Sequence, residues 1–496
     1  MQTSSKVFVI LLETIKSEVW GMETIMNINT IIGDFVWGPV MLIFIVGVGV
    51  YFTIRTKFYQ IRRFKEWNKN TIGLLFKKES RKERSDGSVT PFQAFCTAMA
   101  ATAGTGNLVG VAGAIILGGP GAVFWMLLSG FFGMMTKYAE IVLAIYFRKR
   151  NDKGEWVGGP MYYIREGLGK NFGWLATLFA IFTALCAFGI GNMTQINAVT
   201  GTAGEMLKDL GITPQGTIGS FETYKLIMGI ILAILVALVI MGGLQRIGDA
   251  TERLIPFVGV LNIAACVVAI IIKAENIGPA ISSIFADAFS LRAAGGGVAG
   301  YIMVLGIRYG VARGVFTNEA GLGSAPIAHA AADIDHPVKQ GMWGVFEVFA
   351  DTIVMCTLSA LVVLTSGVYT GFGQDIDGAA LISQSFKASF GVGGSIFLAF
   401  SILIFAYCTT LSWSLYGQRC FEFLTKGKGV KVYQLVFSLV VVVAAVMKID
   451  LAWEIADTLN GLMAIPNLIA LMGLSGIVLR VTKEYYADKS NFKTVK

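Results

Sequence analysis

Residues 97–115, TAMAATAGTGNLVGVAGAI, are apolar enough to lie in a bilayer, yet the centre of the stretch is a poor helix. Thr102, Gly104, Thr105, Gly106 and Asn107 fall together there, and each interior glycine costs a helix about 1 kcal/mol relative to alanine. Backbone that unwinds within hydrocarbon leaves amides and carbonyls unpaired. It persists only where it lines a cavity or holds a ligand. Small residues also let a ligand touch the main chain. Residues 103–107 are therefore read as the break in a discontinuous transmembrane helix, and the break as half of a binding site. A second reading stays open on this stretch alone, because Gly106 and Gly110 form a G-x-x-x-G pair that suits close helix packing.

The rest of the chain also belongs in a membrane. Of 496 residues, 55% are hydrophobic and 15% charged, against about 25% charged in soluble domains. The net charge of +8 does not point to nucleic acid, since the basic residues sit in short loops between apolar spans, as cytoplasmic loops do. Cys96, Cys186, Cys266, Cys356, Cys408 and Cys420 are scattered without a C-x-x-C, and His329 and His336 are the only histidines. Neither a disulfide framework nor a metal cluster is suggested. The chain has no G-x-x-x-x-G-K-[ST] loop for ATP and no T-V-G-Y-G filter. No nucleophile–base pair stands out, so no catalytic residues are assigned and an enzyme is not expected.

Eleven spans are expected, at about 34–54, 92–117, 121–147, 173–202, 224–243, 254–273, 298–330, 342–366, 392–423, 432–448 and 455–480. Residues 1–33 form a weakly patterned extension in which VFVILL is too short for a signal-peptide core; Met22 offers a more conventional start than Met1. The first span, within 34–57, runs into a strongly basic loop at 58–91 (Arg62, Arg63, Lys65, Lys77, Lys78, Arg81, Lys82 and Arg84 among others), which places the N-terminus outside. Within that loop Phe58, Ile61, Phe64 and Trp67 recur at helical spacing, which suggests a helix lying on anionic headgroups. Arg148, Lys149, Arg150 and Lys153 fall inside, as do Arg246, Arg253, Lys426, Lys428, Lys431, Arg480, Lys483 and Lys489. Outer loops carry Glu205, Asp209 and Glu222, or Asp375 and Asp377. The inner loop 331–341 is the exception, with Asp333, Asp335 and Lys339. A cytoplasmic tail follows at 483–496.

Without the first helix, ten spans remain, and they divide into halves at 92–275 and 276–482. An odd number of spans in each half forces the second half to run inverted relative to the first, and inverted repeats predict a broken helix in corresponding positions. The second half opens with RGVFTNEAGLGSAP at 313–326, where Asn318, Gly321, Gly323 and Pro326 again prevent a smooth helix. That correspondence tips the balance from packing to a central site.

A sodium ion takes five or six hard oxygens from unwound carbonyls and hydroxyls. In the ninth span, Ala406, Thr409, Thr410 and Trp413 stand at i, i+3, i+4 and i+7 and share one helix face. Threonine in such a helix often bonds only to its own i−4 carbonyl. The alignment with a tryptophan, opposite two broken helices, argues for more. Gln195 and Asn192 lie mid-span, where a buried amide needs partners: either another helix or a polar solute. Lys137, Glu140, Arg308, Arg313, Glu319, Glu347 and Asp351 are charges within spans, functional candidates by default. Lys137 and Glu140 look like a structural pair, while Asp351 and Glu347 suit a proton relay.

The blocks GTGNLVGVAGAI (104–115), GGPMYYI (158–164), NMTQINA (192–198) and TNEAGLGSAPIAHAAA (317–332) resemble the alanine or glycine:cation symporters, a sodium–alanine symporter family of the leucine-transporter fold. The resemblance covers about 40–480. It implies an all-α polytopic membrane protein with a 5+5 inverted repeat behind one extra helix, and a zwitterionic amino acid held midway across the bilayer. By this resemblance the substrate carboxylate meets the amides of Gly104, Thr105 and Gly106, where a half-helix N-terminus is positive. Gln195, Thr317 and Asn318 then bind its polar ends, while Phe316 and Trp413 close a small side-chain pocket. Sodium, the coupling ion, sits between carbonyls of Ala100, Ala103 and Ala406 and the hydroxyls of Thr409 and Thr410; Asn107 is either a direct ligand or a support. The expectation is a sodium-coupled importer of alanine or glycine in a prokaryotic inner membrane, with no further cofactor and no obligate protein partner. A proton-coupled permease using Asp351 or Glu319 is the alternative.

Overall fold

Helices make up nearly all of the computed structural model, which describes residues 24, 26–75, 88–212, 216–218, 221–289, 298–372, 374–447 and 450–487. The question of a start at Met1 or Met22, and the lysines and arginines at 77–84, lie outside the described residues. An apolar helix begins at Met26, ahead of the expected 34, and after a turn at Gly38 continues as α1 (Pro39–Arg55). Among the described residues, eight helices are long and apolar enough to cross a bilayer, and a ninth span is a pair bent by 48°.

That bent pair is α2 (Pro91–Thr102) with the segment Gly106–Gly118, whose second part is α3 (Val111–Gly118). The start of α2 is written locally. Thr90 Oγ1 accepts from the Gln93 amide, and Gln93 Oε1 accepts from the Thr90 amide, both at 3.0 Å, a capping box that satisfies two orphan donors, with Pro91 at the first position. Then follow α4 (Gly121–Tyr146), α5 (Gly173–Phe188), α6 (Thr194–Asp209), α7 (Thr223–Ile240) and α8 (Gly243–Ile272). The helix expected from 254 starts at Gly243 instead. Its 30 residues reach about 45 Å at 1.5 Å per residue, so it carries Arg246 and Arg253 out beyond the apolar layer.

A short amphipathic helix, α9 (Ile277–Ala288), joins the halves. The second half contains α10 (Val298–Asn318), α11 (Ala325–His329), α12 (Pro337–Val348), α13 (Thr357–Thr365), α14 (Gly378–Phe390), α15 (Val392–Thr425), α16 (Val430–Val446), α17 (Asp450–Gly473) and α18 (Ser475–Ala487). Neither α9 nor α14 was foreseen, since both are short amphipathic pieces between spans. The expected span at 455–480 divides at Leu474 into α17 and α18. The two halves interlock: α4 packs on both α10 and α12, and α15 packs on α2, α5 and α6.

The expected headgroup helix is only partly one. Phe58, Ile61 and Phe64 are exposed, but Trp67 is wholly buried; it packs on Phe346 and Phe349 and donates from Nε1 to the Gln60 carbonyl at 2.9 Å. Trp67 therefore anchors the basic loop to the bundle.

Buried charges hold the second break. Lys137 pairs with Glu347 at 3.4 Å, across helices, and not with Glu140. Gln340 donates to His329 Nδ1 at 2.7 Å, which leaves His329 Nε2 to donate to Glu347 at 2.9 Å. Glu140 is committed elsewhere: its Oε1 accepts from the amides of Gly321 (3.0 Å) and Gly323 (3.1 Å) and from Asn467 Nδ2 (2.5 Å). Those amides are free because Glu319, Gly321 and Gly323 all adopt positive φ, a backbone path that glycine takes without strain. The inner loop at 331–341 is tied to the bundle through its backbone. Arg148 donates to the carbonyls of Ala332 and Ile334 at 2.5 and 3.1 Å.

Two outcomes are expected. Glu140→Ala strands three buried donors, so thermal stability in detergent should drop, with a cost on the order of 3 kcal/mol; an unchanged melting temperature contradicts the assignment. All six native cysteines are buried, so new cysteines at the exposed positions 149 and 375 stand out against a quiet background. An impermeant maleimide applied outside should modify 375 and spare 149, and the reverse pattern overturns the loop-charge topology.

Candidate functional site

The break in the first half arises where α2 ends. Ala103 turns to an extended conformation (φ −75°, ψ 91°), and the chain resumes as a π-helical turn, Gly106–Gly110, before α3. A helix end leaves its last carbonyls without intrahelical partners, and the following helix start leaves amides. The two ends carry opposite partial charges across a few residues. The Ala100 carbonyl meets the Thr409 hydroxyl of α15 at 2.8 Å. The Gly104 amide donates to Asn107 Oδ1 at 3.0 Å, so one of the three amides already has a side-chain partner.

The fourth span contributes through a second π-helical turn, Gly189–Met193, between α5 and α6. That turn leaves the Ile190 carbonyl to accept from Thr194 Oγ1 (2.7 Å) and Gln195 Nε2 (3.1 Å). Gln195 Oε1 then faces the break and accepts from Thr105 Oγ1 at 3.3 Å. Gly104 packs directly between these helices: a Cβ there would lie 2.9 Å from Thr409 Oγ1 and 3.6 Å from Gln195 Oε1. Ala100, Gly104, Thr105, Gln195 and Thr409 thus form one cluster drawn from three helices.

Gly106 joins a second cluster, with Thr317 Cγ2 and Phe316 Cδ1 at 3.1 and 3.7 Å from where its Cβ would be. The remaining candidates are placed differently. Thr410 bonds back to the Ala406 carbonyl at 2.9 Å, the local role open to any helical threonine; Ala406 and Ala103 are fully buried. Asn318 turns from the break's first cluster to Thr352, which accepts from its Nδ2 at 3.0 Å. Trp413 is buried against Gly191 and Tyr416. The ring of Phe316 instead faces Trp453, with centroids 6.3 Å apart.

Trp453 lies outside the sequence blocks that mark the site, and Gly191, though it opens the run GNMTQ, carries no side chain to draw notice. Phe316 and Trp453 share the wall of a cavity of about 300 Å³ with Trp37, Arg313 and Asp457. Thr105, Asn107, Gln195, Thr317, Thr409 and Trp413 are all buried. A solute therefore reaches this site only after the surrounding helices move.

Two broken helices, each in the opening span of a half, with a carbonyl–hydroxyl contact between one break and α15, define a secondary transporter of the leucine-transporter type. The fold agrees with a solved structure: MhsT, crystallised in complex with L-phenylalanine, superposes with a TM-score of 0.54 at 11% identity, covering 82% of this chain and 99% of that one. The chain belongs to the sodium:alanine symporter family, whose profile matches residues 22–496. The "Sodium/alanine symporter AgcS" of Methanococcus maripaludis is 45% identical over 479 residues, 95% of this chain and 99% of that protein. The "Probable sodium/glutamine symporter GlnT" of Bacillus subtilis is 37% identical, over 93% of this chain and 91% of that protein. The protein is a sodium-coupled amino-acid transporter and not an enzyme.

Gly104 has no room for a side chain on its Thr409 side. Gly104→Ala should push Thr409 from the Ala100 carbonyl and cut sodium-driven uptake about tenfold or more, at unchanged surface expression. Normal uptake by this variant contradicts this packing.

Proposed function

We propose that the protein imports alanine or glycine together with sodium across a prokaryotic inner membrane, by alternating access, with its N-terminus outside and C-terminus inside. The observation that carries this reading is the 2.8 Å contact of Thr409 with the Ala100 carbonyl at the end of α2. It brings a hydroxyl from the second half to the carbonyl end of the first break, where the helix dipole is negative and favours a cation. Sodium inserts among the carbonyls of Ala100, Ala103 and Ala406 and the hydroxyl lone pairs of Thr409 and Thr410.

The amino acid lies on the other side of the break. Its carboxylate takes the amides of Thr105 and Gly106, with Gly104 held ready by Asn107. Gln195 and Thr317 bind its polar ends, and Asn318 holds the second break. Phe316 and Trp413 bound the side chain. Two relatives differ between alanine and glutamine in their descriptions, which fits recognition of the amino acid's ends by backbone, with side-chain choice left to a few pocket residues. Proton coupling through Asp351 or Glu319 is the weaker reading, because Asp351 is engaged by Asn107 and Thr352, and Glu319 by Ser324.

Uptake of labelled alanine into proteoliposomes separates these readings. A sodium gradient should drive accumulation and a proton gradient alone should not; the reverse result sinks the proposal. Thr409→Ala should shift the sodium dependence of uptake to higher concentration more than Thr410→Ala does, since only Thr409 reaches across to α2. By reciprocal linkage the apparent alanine affinity should partly recover at saturating sodium. Trp413→Ala should relax discrimination against leucine about tenfold, the worth of a methylene or so in a closed pocket.

A further inference from the structure

Asp351 lies between the two breaks without belonging to either. It sits in the π-helical stretch Phe349–Cys356 that links α12 to α13, and such stretches often mark functional positions. Both its oxygens accept. Oδ1 takes Asn107 Nδ2 at 2.7 Å, and Oδ2 takes Thr352 Oγ1 at 2.8 Å. Each donor leads onward. Asn107 Oδ1 accepts from the Gly104 amide (3.0 Å) in the first break. Thr352 Oγ1 accepts from Asn318 Nδ2 (3.0 Å), and Asn318 Oδ1 accepts from the Ala320 amide (3.0 Å) in the second. All six of these residues, four contributing side chains and two contributing amides, are buried.

The direction of these bonds is fixed by chemistry. Backbone amides can only donate, so Asn107 and Asn318 must present their oxygens to Gly104 and Ala320 and their NH2 groups inward. The Thr352 hydroxyl accepts from Asn318 and so passes its single proton on. Two donors therefore converge from opposite sides on residue 351, and only a side chain with two acceptor oxygens satisfies both. An asparagine there offers one acceptor and turns an NH2 group against a donor.

We propose that Asp351, with Thr352, is a positioning residue that ties the two broken helices together and sets the shape of the substrate break. This rests on the reading of the first break as the binding site. Because the chain of bonds ends at the Gly104 amide, beside Thr409, its loss should loosen alanine and sodium binding together. A purely structural carboxylate would affect stability alone.

The test uses the full-length protein in proteoliposomes, reading half-saturation for alanine and for sodium apart from maximal rate. Asp351→Asn should raise both half-saturation values about tenfold while the maximal rate changes less. Thr352 is wedged against α4, where a Cβ at Gly130 would lie 2.6 Å from its methyl, so shape and hydroxyl must be separated. Thr352→Val keeps the shape and loses the hydroxyl, and should reproduce the defect. Thr352→Ser keeps the hydroxyl and should stay within about twofold of the wild type. Wild-type half-saturation values in Asp351→Asn overturn the proposal, as does a Thr352→Ser variant as damaged as Thr352→Val. Should Asp351→Asn fail to fold, the threonine pair decides. Wild-type protein that takes up no alanine under a sodium gradient would instead count against the function proposed above.

Discussion

The structure depends on what happens to main-chain polar groups when a helix stops inside hydrocarbon. Water is absent there, so each freed amide or carbonyl needs a protein partner or a ligand. Around the first break the Ala100 carbonyl has Thr409, and the Gly104 amide has Asn107. Around the second, the amides of Gly321 and Gly323 share Glu140, and that of Ala320 has Asn318. Much of the buried polar chemistry of this chain serves those few groups.

That requirement explains the concentration of ionisable residues in an otherwise apolar bundle. A single buried charge is costly, and a buried pair is tolerated only when the remaining lone pairs and protons are also satisfied. Lys137 of α4 and His329 both converge on Glu347 of α12, and Glu140, the carboxylate of α4, holds the second break. The same helix thus carries a counter-ion for α12 and a backbone cap for the loop after α10. Such a network resists being pulled apart one member at a time, because removing one partner leaves another buried charge uncompensated.

Close approach supplies the rest. Where halves or repeats must touch, glycine allows it: Gly104 against Thr409, Gly191 against Trp413, Gly106 against Thr317. These contacts put main chain next to side chain at the centre of the molecule, the condition for recognising an amino acid mostly through its backbone-like ends. The aromatic residues beside these contacts are themselves paired, Phe316 with Trp453 and Trp413 with Tyr416.

Much of this was legible from residue order alone. Glycine, threonine and asparagine packed into apolar runs at 104–107 and 317–323 mark both breaks, because propensity and the absence of water act locally and leave a mark in sequence. The faces of α15 and the position of Gln195 follow from the helical period. Other features needed the fold. That Lys137 serves Glu347 and not its neighbour Glu140, that Trp67 turns inward, and that Asn318 turns to Thr352 depend on which helix lies opposite. Periodicity says which residues share a face but not what that face meets. The convergence of Gly104 and Ala320 on Asp351 joins residues more than 200 positions apart, and only the interlocking of the two halves brings their donors to one carboxylate.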